Sequence, residues 1–347
     1  MPIDSLSKEL KNMTILNNVT IIEDYKSVEA QNYFTNYMTQ STPLFFARVG
    51  GSDYDAVRDY YYNKNLIDDK QWYDKALLRV KKYNGYFDFE NKKENFQKYL
   101  EDMIVFYKNS TAASLGFYTG ASNILIPQND CDFLNYVLEG KTCLNYGFIE
   151  ELTPFLKSFK NWGDGLKILI VSPLSKSVEY QNQFRDKFFE DYNYPNFQLL
   201  TYNSKITYSD NPMDDKHTLN IETSNWHEEC QRMAEDIRHI DFDVALLSCA
   251  SYSMFLGNFI KDVLGKKSIY LGGILNAYFN IYGGRYAGME KFHNIFSAAG
   301  LNLEHRIDPL ELEDIHKINS GRGKATESLN AYFGSKDSRS GFKPRPV

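Results

Sequence analysis

Short, continuous apolar runs recur along this chain, and most are followed within a few residues by a segment of helical periodicity. A run that lacks polar alternation is typical of a strand that is buried on both faces of a parallel sheet. The main runs are PLFFARV at 43–49, LKILIVSP at 166–173, FQLLTY at 197–202, FDVALLSC at 242–249 and KSIYLGG at 267–273, with VTIIED at 19–24 and TAASLGFY at 111–118 as further candidates. These runs predict at least seven strands.

Helical segments with apolar stripes lie between the strands, at 27–39, 53–65, 94–108, 177–192, 226–240 and 253–265. Strands that alternate with helices through short connections predict an α/β fold, a doubly wound, mostly parallel, Rossmann-like sheet with helices on both faces. We expect an N-terminal α/β half at 1–160 and a C-terminal Rossmann-like half at 161–320. The connection at 203–225 is long enough to cover a site, and the basic tail at 334–347 is predicted to be disordered.

Composition excludes several classes of function. The 347 residues include 39 Lys and Arg and 45 Asp and Glu, which gives a net charge of -6. A protein with this net charge has no overall positive potential that would attract nucleic acid. The four cysteines are widely spaced and predict free thiols in a reducing compartment. Neither a signal peptide pattern nor an apolar run of about 18 residues is present. We therefore expect a soluble, cytoplasmic protein without a membrane span.

Unusual residues follow four of the predicted strands, where open parallel sheets bind their ligands. They are Gly50, Gly51, Ser52 and Asp53 after the first main run, Ser172 after the second, Ser251 and Tyr252 after 242–249, and Gly272 and Gly273 after the last, with Asn276 and Arg285 shortly beyond. Glycines let backbone N–H groups approach a phosphate, and an arginine fork matches its oxygens. A carboxylate can hold a divalent cation beside a diphosphate. We predict that these strand ends line one cleft.

Simpler explanations exist for each feature taken alone. Gly50 and Gly51 are typical of a tight turn between a strand and a helix. Asp53 is typical of a residue that caps a helix, and Arg285 is typical of a residue in a structural salt bridge. The sequence contains no HxxxH or HExxH spacing, no GxSxG elbow, no Walker loop and no GxGxxG. A histidine-built metal site and a dinucleotide oxidoreductase therefore have little support.

The strand-end segments together resemble a known family. ARVGGSD at 47–53 resembles the R-[FIV]-G-[DS]-x-E segment of glycosyltransferases with the GT-D fold, whose DXE motif meets the metal and the nucleotide sugar. The chain resembles more closely the uncharacterised relatives of these enzymes from capsule and surface-polysaccharide gene clusters. The matching segments are RVGGSD at 48–53, YNGYF at 83–87, LIVSPL at 169–174, DVALLSCASYS at 243–253 and GKKSIYLGGILNAYFNIYGGRY at 265–286. Their order and spacing agree over roughly residues 40–310.

This resemblance implies a GT-D-like glycosyltransferase that moves a sugar from a nucleotide-sugar donor to a surface-glycan or polysaccharide acceptor, with Mn²⁺ or Mg²⁺ as the expected cofactor. Asp53 stands where the family has glutamate, and Gly51 occupies the position of the DXE aspartate. Asn276, Asn280 and Tyr286 replace the usual glutamine, glycine and tryptophan. The alternative is a catalytically diverged protein that binds a sugar nucleotide or glycan, or serves as a structural partner.

The expected roles follow from chemistry and from the pattern together. Asp53 and Asp55 are the candidates for the catalytic carboxylates, and Asp53 is also the candidate metal ligand. Arg285 is the candidate for contact with the diphosphate. The candidates for donor binding are Arg48, Gly50, Gly51, Ser52, Ser172, Ser251, Tyr252, Gly272, Gly273, Asn276 and Arg285.

Overall fold

One sheet of eight strands forms the centre of the computed structural model, and all of its strand pairs are parallel. The structure describes residues 13–14, 19–22, 28–49, 53–115, 126–145, 158–188, 195–207, 221–281, 307 and 309–311. The strands are β1 Met13–Thr14, β2 Thr20–Ile22, β3 Leu44–Val49, β4 Ala112–Leu115, β5 Ile126–Pro127, β6 Thr142–Asn145, β7 Lys167–Ser172, β8 Gln198–Asn203, β9 Val244–Leu247 and β10 Lys267–Tyr270. The sheet order is β2-β6-β4-β3-β10-β9-β7-β8, and β1 pairs separately with β5.

Helices cover both faces of this sheet. They are α1 Val28–Thr39, α2 Tyr54–Tyr62, α3 Lys70–Asn84, α4 Lys93–Asn109, α5 Gln128–Leu138, α6 Ser175–Asn182, α7 Trp226–Arg238, α8 Tyr252–Asp262 and α9 Ile274–Tyr278. One core joins α2, α3, α4, α5, α7 and α8 to the first face. A second core joins α1, α6 and α9 to the other. The expected α/β fold with helices on both faces is confirmed.

The path of the chain is consistent with one hand of crossover. Connections that step toward β2 pass over the first face, as in β3 to β4, β8 to β9 and β9 to β10. Connections that step toward β8 pass over the second face, as in β2 to β3 and β7 to β8. Because connections that run in opposite directions pass over opposite faces, all of these crossovers have the same handedness, as is usual for parallel strands. The two predicted halves meet where β3 pairs with β10, so they share one sheet.

Burial follows the alternation of strand side chains. In β3, all six residues are buried. Phe45, Ala47 and Val49 belong to the first core, whereas Leu44 and Phe46 belong to the second. A strand with both faces in a core is largely apolar, which explains the run from Leu44 to Ala47. Arg48 is the one charged residue of β3 and is buried as well.

Several expectations need correction or extension. The helix expected over 177–192 ends at Asn182, because Arg185 turns away to donate hydrogen bonds to the Phe197 carbonyl and the Asn196 side chain beside β8. The sequence patterns did not predict α3, α5 or β6. In α3 the apolar stripe is narrow, with Ala76 and Val80 as its buried apolar residues.

Other expectations concern the whole chain. All four cysteines are free and buried, as expected. Among the described residues, no helix is long and apolar enough to cross a membrane. Most of the long connection, residues 208–220, and the whole tail at 334–347 lie outside the described residues.

Gly257 is a testable point of the core. It lies within α8, and a Cβ added there would stand 2.1 Å from Cε2 of Phe45 on β3. Alanine favours a helix over glycine by about 1 kcal/mol, but overpacking costs about 1–3 kcal/mol. We therefore expect Gly257→Ala to lower the free energy of unfolding, measured by urea denaturation.

The companion variant is Phe45→Leu. If the collision with the ring is the cause, Gly257→Ala should cost less in the Phe45→Leu background than in the wild type, giving a clear coupling energy. Additive effects of the two substitutions would contradict this explanation.

Candidate functional site

The four strands whose ends carry the predicted residues are consecutive in the sheet. Their order is β3-β10-β9-β7, and their parallel pairing brings their carboxyl ends to the same edge, here called the carboxyl edge. Hydrogen bonds join neighbouring ends, from the Leu271 N–H to the Leu247 carbonyl (2.9 Å) and from the Ser248 N–H to the Val171 carbonyl (2.8 Å). Asp53 therefore lies at the same edge of the sheet as Gly272.

Arg48 holds the end of β10 to the end of β3. Its Nη1 donates to the Leu271 carbonyl (3.0 Å), and its guanidinium lies 5.6 Å from the centre of the Tyr270 ring. Gly272 has φ +60, and a Cβ built there would stand 2.2 Å from Arg48 Nη1. The absence of a side chain at Gly272 thus makes room for a buried guanidinium.

Asp53 directly precedes α2 and is only 4% exposed. Its backbone carbonyl accepts from the Val57 N–H (3.0 Å), but its side chain makes no capping hydrogen bond. The side chains of Asn84 and Tyr107 hydrogen-bond the carboxylate instead. Burial raises the pKa of Asp53 to about 6, against the effect of these hydrogen bonds and of the Arg79 charge. A simple helix cap does not account for such a side chain.

Tyr107 is a neutral donor to this carboxylate. It lies on α4 with 1% exposure, and burial, followed by the nearby Asp53 charge, raises the pKa of its phenol well above the ordinary value. A buried phenol of this kind keeps its proton at all physiological pH values, so it favours the ionised form of Asp53 by hydrogen bonding rather than by charge.

Asn84 joins the Asp53 region to the end of β9. It is the last residue of α3, and its backbone carbonyl accepts from both the N–H (3.2 Å) and the Oγ (2.7 Å) of Ser251. The Trp226 indole N–H donates to the same Ser251 Oγ (3.0 Å). Ser251 is thereby fully engaged within the protein, at 1% exposure.

Gly85, the next residue, ends α3 in the left-handed conformation at φ +74. Its carbonyl accepts from the Thr207 hydroxyl, and the Tyr252 hydroxyl donates to Thr207 Oγ1 (3.0 Å). The Tyr252 ring stacks on Trp226, with centroids 5.8 Å apart. This junction (Asn84, Gly85, Thr207, Trp226, Ser251 and Tyr252) connects the two halves of the chain beside Asp53.

The remaining predicted side chains are engaged elsewhere. Asp55 pairs with Arg79 (2.6 Å) and Arg58 (3.4 Å) on the outer face of α2. The Ser172 hydroxyl accepts from the Leu174 N–H (3.1 Å) and is buried. Asn276 is buried in α9, which follows Gly273.

The N-terminus of α6 receives a carboxylate from the same chain. Glu311 is 5% exposed and accepts from the backbone N–H of Ser177 (3.1 Å) and from its hydroxyl. The Leu310 N–H donates to the Ser177 hydroxyl (2.8 Å). A helix N-terminus favours negative charge, and the Glu311 carboxylate supplies it at the start of α6.

Gly50, Gly51, Ser52 and Arg285 lie outside the described residues. Sequence reasoning missed Asn84, Gly85, Tyr107, Thr207 and Trp226 as parts of the site. Asn84 and Gly85 could have been found from the sequence, because they lie in the YNGYF segment at 83–87, one of the segments that resemble the glycosyltransferase family. Tyr107, Thr207 and Trp226 come from distant positions, and only the folded chain brings them to this edge.

The described residues do not fit a carboxylate-built metal site. Nowhere in the described ranges do three or more His, Cys, Asp or Glu side chains form a group that could hold a metal ion. The Asp53 carboxylate is buried and receives hydrogen bonds from Asn84 and Tyr107, while Asp55 pairs with two arginines. A divalent cation needs more oxygen ligands than this arrangement offers.

Gly272→Ala should destabilise the protein strongly. Left-handed backbone costs a residue with a Cβ about 1–2 kcal/mol, and displacing Arg48 from the Leu271 carbonyl costs roughly 1.5–3 kcal/mol more. Gly265→Ala is the matched control, because Gly265 has φ +65 with no atom within 4 Å of an added Cβ. We expect urea denaturation to show about twice the loss for Gly272→Ala, and equal losses would contradict the proposed steric contact.

Asp53 should make stability depend on pH. Its pKa of about 6 in the folded protein lies above the ordinary 3.8, so the folded state keeps a proton that the unfolded chain releases. The free energy of unfolding therefore falls as pH rises from about 4 to about 6, by ~3 kcal/mol from this group. Asp53→Asn should remove that fall.

Urea unfolding of both proteins across this pH range measures the effect. The difference between wild type and Asp53→Asn isolates Asp53 from the other carboxylates, which titrate in both proteins. Parallel pH curves would show that burial does not shift the pKa of Asp53.

No protein-family model, no curated protein and no solved structure matches this chain.

Proposed function

We propose that the chain is a glycosyltransferase that uses a nucleotide-sugar donor and a glycan acceptor at the carboxyl edge. The observation that carries this proposal is Asp53, a buried carboxylate of raised pKa held where the strand ends of both halves meet. Strongly perturbed carboxylates of this kind concentrate at functional sites. The resembling segments at 48–53, 83–87, 243–253 and 265–286 come from the elements that build this edge.

In this proposal Asp53 acts as the general base. With a pKa of about 6 it is ionised at neutral pH, yet more basic than an ordinary aspartate. In the transfer step the acceptor hydroxyl oxygen bonds to the anomeric carbon and its proton passes to Asp53. The bond from the anomeric carbon to the diphosphate oxygen breaks, and the nucleoside diphosphate leaves with the electron pair. Asn84 and Tyr107 position the base.

The leaving diphosphate requires positive partial charge. Backbone N–H groups of Gly50, Gly51 and Ser52, the side chain of Arg285, and the start of α8 after Ser251 are the proposed sources. Ser172, Gly272, Gly273 and Asn276 belong to the same edge. In this proposal Arg48 and Tyr252 do not touch the donor but hold neighbouring segments of the carboxyl edge together. Arg48 binds the Leu271 carbonyl, and Tyr252 binds Thr207.

The divalent metal implied by the resemblance is not assigned a step. Neither Asp53 nor Asp55 has the free oxygen ligands for it, so any contribution of Mn²⁺ or Mg²⁺ would come with the donor diphosphate. The proposal places the reaction in the cytoplasm, where nucleotide sugars are made, with a surface-glycan or polysaccharide chain as acceptor.

One observation favours the non-catalytic alternative. Asp53 is 4% exposed and already accepts hydrogen bonds from Asn84 and Tyr107, as a residue that only stabilises the edge would do. In that case the chain binds a sugar nucleotide or glycan without transferring the sugar, as a partner of other proteins.

Release of nucleoside diphosphate from a panel of UDP-, GDP- and dTDP-sugars, with and without Mn²⁺, tests the proposal. Removal of a general base lowers the rate by about 10²–10⁴-fold, so Asp53→Asn should lose release by that factor while keeping its fold. Asp55→Asn is the matched control and should keep release within a few-fold, because Asp55 pairs with surface arginines.

Each outcome decides between the alternatives. Donor binding by calorimetry without any release of diphosphate identifies the non-catalytic protein. Full release by folded Asp53→Asn overturns the role of Asp53 as base. Neither binding nor release with any donor overturns the assignment as a glycosyltransferase.

A further inference from the structure

A second polar concavity lies at the opposite edge of the sheet, where the strands begin. It has a volume of about 640 Å³, within the range of small-molecule sites. Its lining includes Thr39 at the end of α1, Ser41 and Thr42 just after it, Asn161, and Lys266 and Lys267 at the start of β10, together with the carboxylates of Asp241 and Asp243. We call it the amino-edge cavity. Its walls offer hydroxyl, amide and ammonium groups beside these two carboxylates.

Lys267 is the unusual group in this cavity. Its side chain is half-buried, and its Nζ donates to the backbone carbonyl of Met38 near the end of α1. No carboxylate of the described residues forms an ion pair with it. Burial alone lowers the pKa of its ammonium, with no contribution from a neighbouring acid. A desolvated cation without a counter-ion costs free energy, which an anionic ligand would recover.

The acidic side chains of the cavity rim are engaged by other groups. Asp241 pairs with Lys167, and its other oxygen lies 4.0 Å from Lys266 Nζ. Asp243 accepts from the backbone N–H of Lys167 (2.8 Å). Lys266 itself donates to the Phe242 carbonyl (2.5 Å). Lys266 and Lys267 each donate to a backbone carbonyl, but only Lys266 also has a carboxylate oxygen within 4.0 Å. Within the described part of the cavity, Lys267 is therefore the ammonium without an acidic partner and the one we assign to an incoming anion.

We propose that the amino-edge cavity binds a small, hydroxyl-rich anion, with its acidic group at Lys267 and its hydroxyls at Thr39, Ser41, Thr42 and Asn161. An acidic sugar and a sugar phosphate share this chemistry. The Thr39 hydroxyl donates to the Thr35 carbonyl (2.8 Å) and therefore offers an acceptor. The hydroxyls of Ser41 and Thr42 and the Asn161 amide can both donate and accept, which matches the hydroxyls of a sugar ring. The ammonium supplies the charge-assisted hydrogen bond that selects the acid.

This site is independent of the proposed transfer site. The strands between the two edges have four to six residues, so the edges are roughly 13–20 Å apart. No residue belongs to both. A failure of one proposal therefore leaves the other unaffected.

Isothermal titration calorimetry of the full chain with glucuronate, glucose 1-phosphate and neutral glucose tests the proposal. Lys267→Gln removes the charge but keeps a donor for the Met38 carbonyl, so its fold should be preserved. We expect at least one of the two anions to bind, with at least about tenfold weaker affinity for Lys267→Gln. Glucose should bind more weakly than that anion. The anion that binds more tightly identifies the source of the acidic group.

Lys160→Gln is the matched control, since it removes the same charge from an exposed lysine that precedes Asn161 but does not line the cavity. It should keep anion affinity within about threefold, because an exposed charge is screened by salt. Lys267→Gln should also leave diphosphate release unchanged. Equal affinity of wild type and Lys267→Gln overturns the proposal, as does inorganic phosphate binding as tightly as glucose 1-phosphate. Absence of binding at about 10 mM of both anions overturns it as well.

Discussion

The pairing of β3 with β10 is the contact on which the rest of the structure depends. It joins strands that are more than 200 residues apart, with Leu44, Phe45 and Phe46 opposite Lys267, Ser268 and Ile269. Two half-sheets, each with an exposed edge, become one sheet in which β3 is buried on both faces. The pairing is parallel, so it also brings the carboxyl ends of β3 and β10 to the same edge of the sheet. The candidate site exists because this register brings the two ends together.

Polar groups at the carboxyl edge stabilise this arrangement. Arg48 binds the carbonyl of Leu271, and Asn84 connects Asp53 to Ser251 and, through Ser251, to Trp226. A buried polar group without a partner costs about 1–3 kcal/mol, so each of these bonds disfavours separation of the two halves. The same enclosure raises the pKa of Asp53, because burial disfavours its charged form. The burial that brings the two halves together and the raised pKa of the carboxylate thus have one physical origin.

The charged side chains at the two edges of the sheet differ in their surroundings. At the carboxyl edge, Glu311 accepts from the start of α6, and the buried Arg48 guanidinium donates to the Leu271 carbonyl. At the amino edge, Lys267 likewise donates to a carbonyl, that of Met38, but it lines a concave surface, and no carboxylate of the described residues pairs with it. A half-buried ammonium that faces a concavity can receive an anion. This position of Lys267 is the reason for assigning a separate ligand to the amino-edge cavity.

The sequence by itself determined the α/β class, the strands of the sheet centre and the carboxyl edge as the place of unusual residues. Continuous apolar runs leave few alternatives to strands with two buried faces, and parallel strands must end together. It did not reveal α3, whose apolar stripe is narrow, or the early end of α6, where Arg185 turns toward the start of β8. Asp53 and Gly272 lie at one edge of the sheet, as the strand-end pattern predicts, but that pattern did not reveal the partners of Asp53. Asn84, Tyr107 and the Ser251 junction come from separate elements, and the strand order that unites them is a long-range property. Only the tertiary structure decided which side chains are buried together, because burial and pairing depend on contacts between distant parts of the chain, whereas periodicity reports only on neighbours.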